Sequence, residues 1–142
     1  MIIEKLMSKP IVTVEMDDTL KVVKHIFERA KFHHLLVVEK DVLYGVISDR
    51  DLLKAISPHI GTPNETPHDT VTLNKRVHQI MTRKPITLPP QADVYAAISI
   101  FNLHSISCIP IVDDKRKPIG IVTWRDILRV IEENHNKKTL KK

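Results

Sequence analysis

The chain has 142 residues, 42% apolar and 27% charged, with a formal net charge of +5. That length suits one compact domain or one tight duplication, and the apolar share supports a core without disulfide or metal staples. Three glycines exclude a glycine-rich phosphate loop, and the single cysteine, Cys108, excludes an intrachain disulfide and a thiolate zinc site.

Isoleucine and valine together number 32 against six aromatics, a bias towards buried strands. In chain order, residues 11–14 form a short extended segment. A helix follows, with apolar residues at Leu20, Val23, Ile26, Phe27 and Ala30 and an acid, Asp17 or Asp18, near its start. Residues 35–38 and 43–47 are β-branched runs that predict strands joined by a turn at Lys40 and Asp41. A second helix is predicted over residues 49–57. Pro58, Gly61, Pro63, Asn64, Pro67 and Asp69 then mark a linker.

Residues 73–81 lead into a second copy of this pattern, much as residues 2–7 lead into the first. The second copy has an extended segment at 86–88 and a helix with Val94, Ala97, Ile98 and Phe101 behind Asp93. Strands at 109–112 and 119–122 flank a turn at 113–118, and a helix runs from Trp124 to about Asn134. The end carries Lys137, Lys138, Lys141 and Lys142, and without them the net charge falls from +5 to +1. The body is therefore nearly neutral, and the basic end reads as a solvated, frayed tail rather than a nucleic-acid arm.

The two copies align residue by residue. Met7 matches Met81, Thr13 matches Thr87, Ile26 matches Ile100, Phe27 matches Phe101 and Val38 matches Val112. After one extra residue in the second turn, Gly45 matches Gly120, Arg50 matches Arg125, Asp51 matches Asp126, Leu53 matches Leu128 and Ile56 matches Ile131. The predicted class is α/β (α+β), with two β-α-β-β-α repeats: 1–57, a linker at 58–72, 73–134, and the tail at 135–142. One repeat alone is small for a core, so the two are expected to pack about a pseudo-twofold axis with two clefts at their seam.

Ser48-Asp49-Arg50-Asp51 and Thr123-Trp124-Arg125-Asp126 each stand between a strand and a helix. One reading is a capping box, in which hydroxyl and acid satisfy the first backbone N–H groups of the helix. The other is a ligand site. A carboxylate accepts two hydrogen bonds from a vicinal diol such as ribose, while helix N–H groups and Arg50 or Arg125 favour phosphate.

Met7-Ser8-Lys9 and Met81-Thr82-Arg83, the Pro10 to Thr13 and Pro85 to Thr87 segments, and the closing Gly-apolar-apolar-Ser/Thr-x-x-Asp resemble a pair of CBS domains, a Bateman module, over residues 1 to about 134. The resemblance implies a stand-alone regulatory module that binds an adenosine-containing ligand (AMP, ADP, ATP or S-adenosylmethionine) in a cleft between repeats and signals to a partner protein. It also implies a homodimer. Carried onto this chain, the preferred site is that of repeat 2: Thr87, Ser107, Cys108, Ile109, Pro110, Thr123, Arg125 and Asp126, with His33 or His34 reaching phosphates. The weaker site, of repeat 1, has Thr13, His34, Leu35, Ser48, Arg50 and Asp51, with Leu36 where Pro110 stands in its counterpart.

Adjacent strand residues such as His33 and His34 point to opposite faces and do not converge on a metal ion. Cys108, which precedes an apolar strand, reads as a small buried hydrophobe with no catalytic set around it. Trp124 is left open between an interface and a cover for a ligand base. Arg50 and Arg125 are left open between phosphate contacts and surface pairs with Asp49 or Glu132. No catalytic residue, metal or catalytic cofactor is expected, and the chain is not read as an enzyme. With no apolar run of about 20 residues and no signal-peptide core at residues 1–10, a cytoplasmic protein without a membrane span is expected. The alternative function is a ligand-free dimerisation or interaction module.

Overall fold

The computed structural model describes residues 1–9 and 11–140. The chain passes through a 3-10 turn at Ile3–Lys5, then β1 (Thr13–Val14), α1 (Leu20–Arg29), β2 (His34–Glu39), β3 (Val42–Ser48) and α2 (Asp49–Ala55). There follow α3 (Pro67–Val71), a 3-10 turn at Thr72–Asn74, α4 (Val77–Ile80) and β4 (Thr82–Arg83). The last elements are α5 (Val94–Leu103), β5 (Cys108–Val112), β6 (Pro118–Thr123) and α6 (Trp124–Leu140). These elements divide into two compact units, Val12–Pro85 and Met1–Ile11 with Ile86–Lys142. The two segments that lead into the repeats are thus exchanged: each completes the unit built on the body of the other repeat.

In the Val12–Pro85 unit the strand order is β1-β2-β3-β4, with β1 and β2 parallel and the other pairs antiparallel. Lys40 and Asp41, at φ 49° and 66°, make the tight turn between β2 and β3, the two-residue geometry that suits the twist of a hairpin. Helix α1 buries Leu20 and Val23 against Val14, Leu35, Val37, Ile47 and Leu52, and Val77 and Met81 from the lead-in complete this core. The lead-in is fixed to the start of α1 by backbone bonds from Val77 N to Asp18 O at 2.8 Å, His78 N to Met16 O at 3.0 Å and Leu20 N to Lys75 O at 2.9 Å.

The other unit repeats this plan. Ile3 N donates to Ala92 O at 2.8 Å, Glu4 N to Pro90 O at 3.0 Å and Val94 N to Met1 O at 2.9 Å, at the equivalent positions of the repeat. Ile3, Leu6 and Met7 join Ala97, Ile109, Ile111, Val122 and Ile127 in one buried cluster. β5 and β6 form an antiparallel hairpin, with Ser8 bridging Ile121 on one side and Leu88 bridging Ile111 on the other. The extra residue of the second copy is absorbed where Asp113 Oδ1 accepts the Lys115 and Lys117 N–H groups, each at 2.9 Å.

Three sequence expectations change. The extended segment at 86–88 forms only the Leu88 bridge, not a strand. In the first repeat Leu36 N donates to Val12 O at 3.1 Å. Its counterpart, Pro110, has no N–H to give, and the ladder shortens. The linker contains α3, whose Thr66 and Asp69 form a capping box with Pro67 in the first turn. The segment read as a frayed tail is helical through Leu140, with Lys137 and Lys138 in the last turn of α6, where cations suit the helix dipole. Lys141 and Lys142, also assigned to the tail, lie outside the described residues.

The lead-ins cross the hairpins at glycine. A Cβ on Gly45 would lie 2.7 Å from Met81 Sδ and 2.8 Å from the Thr82 carbonyl oxygen. On Gly120 it would lie 2.8 Å from Met7 Cγ and would also collide with the sulfur. Gly45→Ala should therefore destabilise by about 1–3 kcal/mol, read as a lower denaturation midpoint. Gly120→Ala should cost less, because a flexible Met7 side chain yields where a backbone carbonyl does not. Equal midpoints for Gly45→Ala and wild type would refute the crossing as a packing constraint.

Asp69 also ties the linker, accepting Ser57 Oγ at 2.6 Å and Thr66 N at 2.8 Å. The Ser57 bond, then the Thr66 backbone bond, hold its carboxyl below the usual aspartate value. Such a group stabilises above its unfolded pKa, and that contribution is lost as pH falls through the lower folded value. Protection of the Thr66 amide against hydrogen exchange should be lost in Asp69→Ala at neutral pH. In the native chain it should weaken only in acid, below the ordinary aspartate range.

Candidate functional site

Thr123 ends β6 and Asp126 lies in the first turn of α6. Thr123 N donates to Asp126 Oδ2 at 2.8 Å and Asp126 N to Thr123 Oγ1 at 3.3 Å. This is the reciprocal capping arrangement. The Thr123 hydroxyl also lies 3.1 Å from the same Oδ2. The other oxygen, Oδ1, accepts Ser8 Oγ at 3.0 Å and pairs with Arg129 Nη2 at 3.1 Å. Asp126 is 4% exposed and is the one buried charged residue among those described. Burying a carboxylate is costly unless it is paired and hydrogen-bonded, and here both oxygens are engaged.

Of the other residues predicted for repeat 2, Cys108, Ile109 and Pro110 lie on β5 beside β6, while His33 and His34 belong to the Val12–Pro85 unit. Register pairs Cys108 with Thr123, Ile109 with Val122 and Pro110 with Ile121. Leu88 N donates to Pro110 O at 3.2 Å, which sets Thr87 on the segment flanking β5. Cys108, Ile109 and Pro110 are buried, Thr87 is half-buried, and Ser107 and Arg125 are exposed. Trp124, the first residue of α6, is 51% exposed. The ion pair at this helix start is made by Arg129, which the sequence reading did not single out. Ser8 was missed as well. The available signals were the i, i+3 spacing of Asp126 and Arg129 and the place of Ser8 beside Met7 in the repeated lead-in.

The repeat-1 counterpart differs in its surroundings. Ser48 N donates to Asp51 Oδ2 at 2.9 Å and Asp51 N to Ser48 Oγ at 3.0 Å, again a capping box. Asp51 is half-buried. Among the described residues its Oδ1 receives no hydrogen bond. Thr82 and Lys54, which correspond to Ser8 and Arg129, are exposed.

His34 pairs with Ser48 and Leu35 with Ile47 across β2 and β3, while Thr13 sits opposite Leu36. Burial lowers the His34 pKa, partly opposed by the charge of Asp49. The exposed His33 ring contacts Asp49 through Nδ1 at 2.7 Å, and Arg50 is exposed on the first turn of α2. Among the described residues no group of three or more His, Cys, Asp or Glu side chains is placed to hold a metal ion. No helix among them is long and apolar enough to cross a membrane.

Comparison with known proteins places the chain in a family. The profile of the CBS domain matches residues 3–58 and 77–133. A CBS domain-containing protein of Dictyostelium discoideum is 33% identical over 132 residues, covering 92% of this chain and 90% of that protein. Among solved structures, a CBS domain pair in complex with 5'-methylthioadenosine and S-adenosyl-L-methionine superposes with a TM-score of 0.75 at 28% identity, covering 94% of this chain and 98% of that one. Inosine-5'-monophosphate dehydrogenase of Methanocaldococcus jannaschii is 29% identical over 127 residues, but this chain covers only 23% of it, so the likeness to that enzyme is confined to part of a larger protein. With both repeats matched and the two units built on one plan, the chain belongs to the CBS domain family and carries two CBS repeats in a mixed α+β fold.

Proposed function

We propose that this CBS pair is a regulatory module that binds an adenosine-containing ligand, of the AMP, ADP, ATP or S-adenosylmethionine class, and signals to a partner protein without catalysing a reaction. The observation that carries the reading is the duplicated acid at a strand-to-helix junction, Asp51 and Asp126, each with one oxygen committed to capping. A vicinal diol needs acceptors of this kind, and the first-turn N–H groups of α6 with Arg125 suit a phosphate. The structural relative solved with 5'-methylthioadenosine and S-adenosyl-L-methionine supports the ligand class.

The repeat-2 set, Thr87, Ser107, Cys108, Ile109, Pro110, Thr123, Arg125 and Asp126, is the preferred site on this proposal. The repeat-1 set, Thr13, His34, Leu35, Ser48, Arg50 and Asp51, is the weaker one. Binding regulates only if the ligand prefers one of two states of the module. Self-association belongs to the same proposal. Trp124, Leu128 and Ile131 stand exposed at one-turn and two-turn spacing along α6, an apolar stripe of the kind that marks a protein interface.

A thermal-shift panel of AMP, ADP, ATP and S-adenosylmethionine tests the proposal. A ligand at 100 times its Kd should stabilise by about 2.7 kcal/mol, and Asp126→Asn should abolish most of that gain. No shift with any of them at millimolar concentration would overturn the ligand reading in favour of a structural interaction module. Separately, Leu128→Glu should reduce the mass measured by light scattering from that of a dimer to that of one chain. A native chain that is already monomeric would remove self-association from the proposal.

A further inference from the structure

Asp126 and Asp51 occupy matching places, yet among the described residues only Asp126 has its second oxygen, Oδ1, held by a hydrogen bond or ion pair. Capping requires one carboxylate oxygen, and in both repeats Oδ2 does that work. At Asp126 the second oxygen is held by two groups of the same unit. Ser8 arrives from the exchanged lead-in, 118 residues away in the chain. Arg129 reaches back from the next turn of α6 and keeps its side chain half exposed, at 52%. At Asp51 the corresponding Thr82 and Lys54 make no such bond among the described residues, and the acid stays half-buried.

We infer that Ser8 and Arg129 are affinity-setting residues of the repeat-2 site, holding Asp126 Oδ1 until a vicinal diol displaces the Ser8 hydroxyl. The inference rests on the proposal that Asp126 receives a ligand diol, and it deepens that proposal by giving the two acids different thresholds. A carboxylate has about four acceptor positions. The Thr123 N–H, the Thr123 hydroxyl and Ser8 take three of them by hydrogen bonds, and Arg129 pairs with the same Oδ1 that Ser8 occupies. A diol therefore exchanges a hydrogen bond at Asp126, whereas at Asp51 it only adds them, and the preference for repeat 2 rests on Pro110, where repeat 1 has Leu36, rather than on the acid. The Ser8 side chain is the displaceable member, because its segment stays anchored without it. Ser8 N donates to Ile121 O at 2.8 Å and Ile121 N to Ser8 O at 3.3 Å, and both bonds are main-chain. Ligand arrival thus changes a side-chain contact of the N-terminal segment while the sheet remains intact.

Isothermal titration of the whole chain with AMP and with its 2'-deoxy analogue tests this in the native protein and in Ser8→Ala, Arg129→Lys and Thr82→Ala. Loss of a competing bond to a charged acceptor should make Ser8→Ala bind AMP about tenfold more tightly. The deoxy analogue, which lacks the vicinal diol, should gain nothing. Arg129→Lys, which places the repeat-1 residue type at this position, should also tighten AMP binding, and Thr82→Ala should leave it unchanged. Unaltered or weaker AMP binding in Ser8→Ala, or an equal gain for the deoxy analogue, would overturn the inference while leaving the ligand proposal standing. No binding of AMP by any of the four proteins would overturn the assignment of AMP to Asp126 and the inference with it.

Discussion

Each of the two units is completed by a segment that leads into the other repeat. Met81 and the Thr82 carbonyl lie over Gly45, and the Met7 side chain lies over Gly120, so a side chain at either glycine would collide with the incoming segment. The same segments deliver Val77 and Ile3, both fully buried, into the two cores, and tie the start of the first helix through three matched backbone bonds. Register, core filling and the position of each helix start therefore depend on one crossing. A cavity or a shift there reaches all three at once, because close-packed interiors transmit strain rather than absorb it.

The hydroxyl–x–x–Asp motif shows how a structural device and a binding device share atoms. Capping satisfies the backbone at the start of α2 and α6 and leaves one carboxylate oxygen over. What surrounds that spare oxygen then decides its chemistry. An arginine three residues along a helix can reach back to it, as Arg129 does, while Lys54 at the same place forms no ion pair with Asp51 among the described residues. Duplication supplied the same motif twice, and small side-chain differences made the two copies unequal.

Much of this was legible in the residues. The apolar spacing of Leu20, Val23, Ile26 and Phe27 and the short β-branched runs gave the helix-strand alternation, and the matched Gly45 and Gly120 revealed the duplication. Periodicity reports local structure, however, and two copies of one pattern look alike whichever body each lead-in joins. The exchange was therefore invisible, and so was Ser8, whose partner is distant in the chain. Thr66, Pro67 and Asp69 did carry the signal for α3, but the surrounding prolines and glycine outweighed it. The effect of Pro110 required knowing that its missing N–H faces the 86–88 segment, which is a statement about register rather than composition. The relation of the predicted site residues within each unit followed from the hairpin pairings once those were known.

The exchange also imposes an order on synthesis. The Val12–Pro85 unit is continuous in the chain, so all of its parts have been synthesised before the second body begins. The other unit joins the first nine described residues to a body that ends with α6. At typical translation speeds Ile3, Leu6 and Met7 wait on the order of ten seconds for Ile109, Val122 and Ile127. During that interval the apolar side chains of this short segment lack the core that buries them. The nascent chain is thus most exposed to mispairing and to chaperone capture at this segment, which is made well before the body it completes.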